Sequence, residues 1–193
     1  MNALADASRY LIPAFWLIWL VGWLLGAIGV KRSQWRESWT TAIWNRAPVL
    51  LGAVMMMGPR RLPAVLTQRL FPSGPELPAI GTILVFFGLL FAVWARVHLG
   101  GNWSGTVTVK RDHTLITSGP YRFVRHPIYT GMVVALFGTA LAQGAAHGFI
   151  GTALILLGFV IKLQVEEARM RATFPRDYDD YSRHTARLIP KVF

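Results

Sequence analysis

The sequence predicts an all-α integral membrane protein of about five transmembrane helices in one domain, with a C-terminal helical hairpin. Three observations predict it. Of 193 residues, 53% are hydrophobic and only 15% are charged. The apolar residues fall in long blocks, as bilayer spans require. The basic residues, 20 Lys and Arg against 9 Asp and Glu for a net charge of +11, sit mostly beside those blocks. Anionic lipid headgroups or a negatively charged substrate headgroup suit that placement better than nucleic acid does. There is no cysteine, which excludes disulfides, thiolate nucleophiles and Cys-type zinc sites.

Residues 10–30 carry no charge. At 1.5 Å per residue they reach about 30 Å, the thickness of a bilayer's hydrocarbon core. Pro13 lies near the start of this block, where it does little harm. The block is too long for a cleaved secretory signal and no small-residue cleavage pattern follows it, so it is expected to be retained. Residues 31–46 are basic, and Trp35, Trp39 and Trp44 recur among them. That pattern predicts an interfacial helix or belt. A second span is assigned to roughly residues 43–66, although Pro59-Arg60-Arg61 interrupts it, and a short helix, a broken helix and a re-entrant segment all fit this stretch. Residues 71–78 read as a turn-rich linker. The third span is 79–97, ending on Arg96 and His98. Residues 100–119 are Gly- and Thr-rich and predict a loop, with room for a short strand or turn.

The fourth span runs from Pro127 to about Ala142 and the fifth from Gly148 to about Val165, continuing as helix beyond the bilayer. The connection Gln143-Gly144-Ala145-Ala146 is short, so these two form an antiparallel hairpin. Residues 169–193 are too polar to span. With five spans, the 31–46 loop, the 100–126 loop and the C-terminal tail share one face, and they carry most of the Lys and Arg. The positive-inside rule makes that face cytoplasmic and puts the N-terminus outside. Arg60, Arg61 and Arg69 run against this assignment.

The run Gly119-Pro120-Tyr121-Arg122-Phe123-Val124-Arg125-His126-Pro127-Ile128-Tyr129-Thr130-Gly131 is the densest in chemistry. Pro127 disfavours helical backbone at His126 and itself suits the first helical turn. Tyr121 to His126 is therefore expected as an ordered loop entering a helix, whose free N–H groups suit an anion. Gly131 would leave one helix face bare for a flat ring. At the far end of the hairpin stand Glu166 and Glu167. Carboxylates beside a membrane are functional candidates. Adjacent helical residues point about 100° apart, so one is expected to face the site and the other to pair with Arg169, Arg171 or Arg125. Arg96 and His98 could bind an anionic headgroup or snorkel to the interface. His113, His147 and His184 show no metal-like spacing, and no metal site is expected. Tyr178 and Tyr181 are i, i+3 neighbours if helical.

The combination Ser118-Gly119-Pro120-Tyr121, Arg125-His126-Pro127-x-Tyr129-x-Gly131, then Glu166-Glu167, with Phe174, Tyr178, Tyr181 and Pro190 following, resembles the isoprenylcysteine carboxyl methyltransferase family and its bacterial and archaeal relatives. The resemblance covers roughly residues 90–193. It implies S-adenosylmethionine as cofactor, in a cytoplasmic pocket formed by the last two spans and the C-terminal segment. Residues 79–193 would then be the catalytic half, and 1–78 the N-terminal spans and linker. By this resemblance Tyr121, His126, Pro127, Tyr129 and Gly131 would line the pocket. Glu166 or Glu167 would bind the cofactor's polar groups, and Tyr178 and Tyr181 would help cover it. A cationic sulfonium is favoured by aromatic faces and a carboxylate, and Arg125 or a helix N-terminus suits the cofactor's own carboxylate. Arg96 is the candidate for an anionic acceptor group.

The implied reaction is methylation of a lipid-like or prenylated acceptor at the membrane, with a carboxylate as the favoured target. A similar Arg-His-Pro-x-Tyr region in NADPH-dependent sterol or enone reductases, and a non-catalytic lipid-binding role, are the competing readings. The few spans and basic face look prokaryotic, which places the protein in an inner or cell membrane.

Overall fold

A computed structural model describes residues 3–26, 39–58, 62–72, 74–100 and 115–190. It is all-helical over those residues: α1 Ala3–Leu25, α2 Trp39–Met56, α3 Ala64–Thr67, α4 Glu76–Leu99, α5 Pro127–Gln143, α6 Ala146–Thr173 and α7 Pro175–His184, with a 3₁₀ turn at Gly119–Arg122 before α5. The interfacial segment 31–38, Arg60, Arg61 and the loop 101–114 lie outside the described residues.

Among the described residues three helices are long and apolar enough to cross a bilayer: α1, α4 and α6. The apolar part of α2, Arg46–Met56, and α5, Pro127–Gln143, are shorter. The described residues therefore form a membrane-helix bundle with three full-length candidate spans. The second span expected at 43–66 is not one continuous helix. Helix α2 stops at Met56, and Gly58 takes φ +60°, a left-handed conformation open to glycine at little cost. Two side chains of the hairpin then cover the carbonyls that end α2. Gln143 Nε2 donates to Met56 O at 2.8 Å, and His147 Nδ1 lies 3.1 Å from Met55 O. Arg69, which disagreed with the assigned orientation, forms an isolated antiparallel bridge with Ala145 in the α5–α6 turn.

Helix ends elsewhere follow local chemistry. His126 is non-helical (φ −126°, ψ 61°) and Pro127 opens α5. Gly144 closes it in the left-handed region, its N–H bonding Ala140 O at 2.9 Å. α1 is already helical at Ala3, ahead of the uncharged block, with Asp6 favourably placed near its N-terminal end.

Glycine sets the packing. α4 and α5 run antiparallel, with Gly81 opposite Gly138 and Gly88 opposite Gly131. A Cβ on Gly88 would lie 2.6 Å from Gly131 O and 2.7 Å from Ala135 N. α2 and α6 meet the same way at Gly52 and Gly151, where a Cβ on Gly151 would lie 2.6 Å from Gly52 O. Backbones come this close only where side chains are absent, and apolar lipid gives helices no other strong reason to associate. The core fills between these pairs. Ile12, Val85, Leu89 and Ala135 form one cluster; Met56, Leu136, Ile155 and Phe159 form another. Trp16 of α1 packs against both and donates Nε1–H to Thr139 Oγ1 of α5 at 3.0 Å.

Candidate functional site

The site forms where the 3₁₀ turn, the start of α5, the end of α6 and the segment after α7 converge. Residues 185–190 act as a strap laid along residues 124–130. Val124 and Ala186 form a parallel bridge. Arg125 N–H donates to Ala186 O at 2.8 Å and His126 N–H to Arg187 O at 3.1 Å. Thr130 Oγ1 donates to Leu188 O at 2.7 Å. The strap thus satisfies backbone groups that the Pro127 helix start leaves free.

Glu167 is the centre of this junction and has no solvent exposure. Its Oε1 lies 3.0 Å from Arg125 Nε, 3.0 Å from Arg187 Nε and 3.2 Å from His126 Nε2. Its Oε2 accepts from Arg187 Nη2 at 2.8 Å, with Arg171 Nη2 at 3.6 Å. A buried carboxylate needs this many donors, since burial alone would drive it to take up a proton. The same hydrogen bond holds the Arg187 guanidinium above the ordinary arginine value. Arg125 Nη1 donates to the carbonyls of Ser182, at 3.0 Å, and Thr185. Glu167 and Arg125 therefore tie α5, α6, α7 and the strap together.

Glu166, one residue earlier, is different. It is partly open to solvent, accepts from Tyr129 O–H at 2.8 Å, and lies 3.7 Å from Lys162 Nζ. The Lys162 ammonium also stands 5.6 Å from the centre of the Tyr129 ring. His126 reaches both carboxylates, with Nδ1 3.8 Å from Glu166 Oε2. Tyr129 is fixed edge-on against Phe159 and His126, at 5.0 and 6.0 Å between ring centres.

A wall of aromatic rings completes the junction. Tyr178 and Tyr181 are neighbours on α7, 6.0 Å apart and nearly perpendicular. Tyr181 O–H donates to Tyr121 O, and Tyr121 stacks with His98 at 6.4 Å. His98 Nε2 pairs with Ser118 Oγ at 3.0 Å. Gly119, at φ +59°, lies under the His98 ring and leaves no room for a side chain. Burial pushes the phenols of Tyr121, Tyr178 and Tyr181 well above 10, so they remain neutral donors.

The structure brings Tyr121, Arg125, His126, Pro127, Tyr129, Glu166, Glu167, Tyr178 and Tyr181 into this one region. Two expected residues are placed otherwise. The bare face of Gly131 is turned to Gly88 and Ala92 of α4, so its missing side chain serves helix contact rather than a flat ligand ring. Arg96 is held against α1, its guanidinium 4.5 Å from the Trp23 ring centre. Two residues with central contacts were not singled out from sequence. Arg187 looked like any basic tail residue. Lys162 was a lone cation inside an apolar span, which is itself a functional signal. Among the described residues no group of three or more His, Asp or Glu could hold a metal.

Residues 80–172 match the family described as isoprenylcysteine carboxyl methyltransferase. A probable protein-S-isoprenylcysteine O-methyltransferase of Oryza sativa subsp. indica is 28% identical over 129 residues, covering 64% of this chain and 68% of that protein. The protein-S-isoprenylcysteine O-methyltransferase of Schizosaccharomyces pombe is 31% identical over 138 residues, covering 68% of this chain and 56% of that protein. Phosphatidylethanolamine N-methyltransferase B of Dictyostelium discoideum is 32% identical over 84 residues, 42% of each chain. The Arg125-His126-Pro127 entry to α5 and the Glu166-Glu167 pair of α6 both lie inside the matched segment, so the part of the chain that carries the site is the part that is similar to the isoprenylcysteine carboxyl methyltransferase family.

Proposed function

We propose that this protein is an S-adenosylmethionine-dependent membrane methyltransferase acting on a carboxylate of a lipid-like or prenylated acceptor, with its site on the cytoplasmic face. One observation supports the cofactor most directly. Glu166 and the face of Tyr129 already hold a cation, the Lys162 ammonium, in the geometry that a carboxylate and an aromatic ring offer to a positive charge. The residues present therefore fit a cationic methyl donor. In this reading Glu166, Tyr129, Tyr121 and His126 bind it, Pro127 fixes the helix start beside it, and Tyr178 and Tyr181 close over it. Glu167 holds Arg125 and the strap rather than the ligand. S-adenosylmethionine would supply a methyl group on a positively charged sulfur, which leaves as a neutral thioether when the methyl moves.

What the protein contributes is alignment and dryness. A carboxylate acceptor has no proton to lose, so the site needs no base; it must hold the attacking oxygen in line and keep water out. The interlocked rings of Tyr121, Tyr178 and Tyr181 and the strap do the latter. A phospholipid amine is the second reading, favoured by the likeness to the Dictyostelium enzyme. An amine must lose a proton, and the Tyr129–Glu166 hydrogen bond offers a carboxylate to take it.

The test is calorimetric titration of the detergent-purified protein with S-adenosylhomocysteine, with NADPH in parallel. Saturable binding of the homocysteine compound alone is expected. Binding of NADPH alone would assign the protein to the reductases, and binding of neither by folded protein would leave a lipid-binding role.

A further inference from the structure

Lys162 is an anomaly. It sits on α6 between Ile161 and Leu163, the latter fully buried, in a helix apolar enough to span a bilayer. An ammonium there is costly unless it has a partner. It has two, Glu166 one helical turn on and the ring of Tyr129, and both belong to the part of the site offered to the cofactor. Two cations cannot share one carboxylate at this range without repulsion. Lys162 is also 43% exposed on a four-carbon stem, so it can leave without disturbing the helix. Glu167 cannot exchange in this way, since its donors are bound into the strap.

We infer that Lys162 is a built-in counter-ion for Glu166, displaced when the cofactor's cationic group takes its place, and that it sets the cofactor affinity by competing with it. The lysine and the Tyr129 hydroxyl together fix where the Glu166 carboxylate points. Binding is then an exchange of one cation for another rather than the capture of a cation by a lone carboxylate. This inference rests on the methyltransferase reading.

The test is calorimetry on Lys162→Met and Lys162→Arg beside wild type, titrating S-adenosylmethionine and S-adenosylhomocysteine separately, with the thermal midpoint as a check of folding. Removing the competing charge at a half-exposed pair is expected to tighten binding about threefold to fivefold in Lys162→Met. Lys162→Arg should bind as wild type does. Tightening of both compounds would mean that Glu166 takes the ammonium they share, and tightening of S-adenosylmethionine alone that it takes the sulfonium. Unchanged or weaker binding of both by folded Lys162→Met would overturn the inference. Failure of wild type to bind either compound would instead overturn the methyltransferase reading on which it rests.

Discussion

The two glutamates are adjacent in sequence, yet their substitution should have opposite signatures. In Glu167→Gln the shape is kept but the charge is lost. Of the four donors now aimed at the carboxylate, three point at Oε1, at 3.0, 3.0 and 3.2 Å, and can still bond an amide oxygen. The fourth, Arg187 Nη2 at 2.8 Å from Oε2, would face an N–H₂ group. Arg125 and Arg187, with side chains 11% and 21% exposed, would lose their counter-charge. Breaking one partner of a buried ion pair costs about 3–5 kcal/mol; the retained oxygen bonds put this variant at the low end. For a chain of this length that corresponds to a fall in Tm of about 6–12 °C. Glu166→Gln removes a part-exposed carboxylate with one hydrogen bond and should shift Tm by about 2 °C or less. Thermal unfolding in detergent, followed by tryptophan fluorescence, measures both, and amide exchange at Arg125 and His126 should quicken in Glu167→Gln alone. Equal midpoints for the two variants would refute the division of labour between the glutamates.

Glu166→Gln, in turn, should weaken S-adenosylmethionine binding about tenfold by calorimetry, the scale of one charge-assisted contact. Gly88→Ala should destabilise the protein by about 2–3 kcal/mol, because its Cβ would press on backbone atoms of α5. Gly22→Ala, with nothing within 4 Å of the new Cβ, should be neutral or slightly stabilising; denaturant titration compares the two. The phenols of Tyr121, Tyr178 and Tyr181 have folded values above their ordinary 10.0. Their contribution to stability is therefore complete below pH 10 and lost as the pH climbs through the folded values. Phenolate absorbance should show these three ionising later in the folded protein than after unfolding.

The apolar helices were legible because bilayer length and proline or glycine punctuation are local signals. The third and fourth spans, expected at 79–97 and from Pro127 to about Ala142, are helices Glu76–Leu99 and Pro127–Gln143. Pro127 and Gly144 mark both ends of the latter. The gathering of Tyr121, His126, Tyr129 and the glutamates was legible from their motif. Which glutamate lies inside was not, because the 100° step between neighbours says only that they differ. The choice is made by Arg187, 20 residues away, through a strap whose pairing leaves no periodic trace. Gly131 was misread for a related reason. A bare helix face suits a ring or another backbone equally well, and only the facing Gly88 decides. The interruption near Pro59 was legible, and the end of α2 at Met56, with Gly58 in the left-handed region, is where the chain makes it.

The strap also orders events in biosynthesis. Translation runs from N- to C-terminus, so Arg125 and His126 are made first, Glu167 next and Arg187 after it. The glycine faces of α4 and α5, and of α2 and α6, can engage as soon as those helices are inserted, with no help from the tail. A nascent chain halted within α7 would thus hold an inserted bundle whose buried carboxylate still lacks its bidentate arginine. Insertion and competence become separate milestones, and the second waits for residues 185–190. A truncation in that stretch would be recognised by its loose end rather than by a failure to enter the membrane.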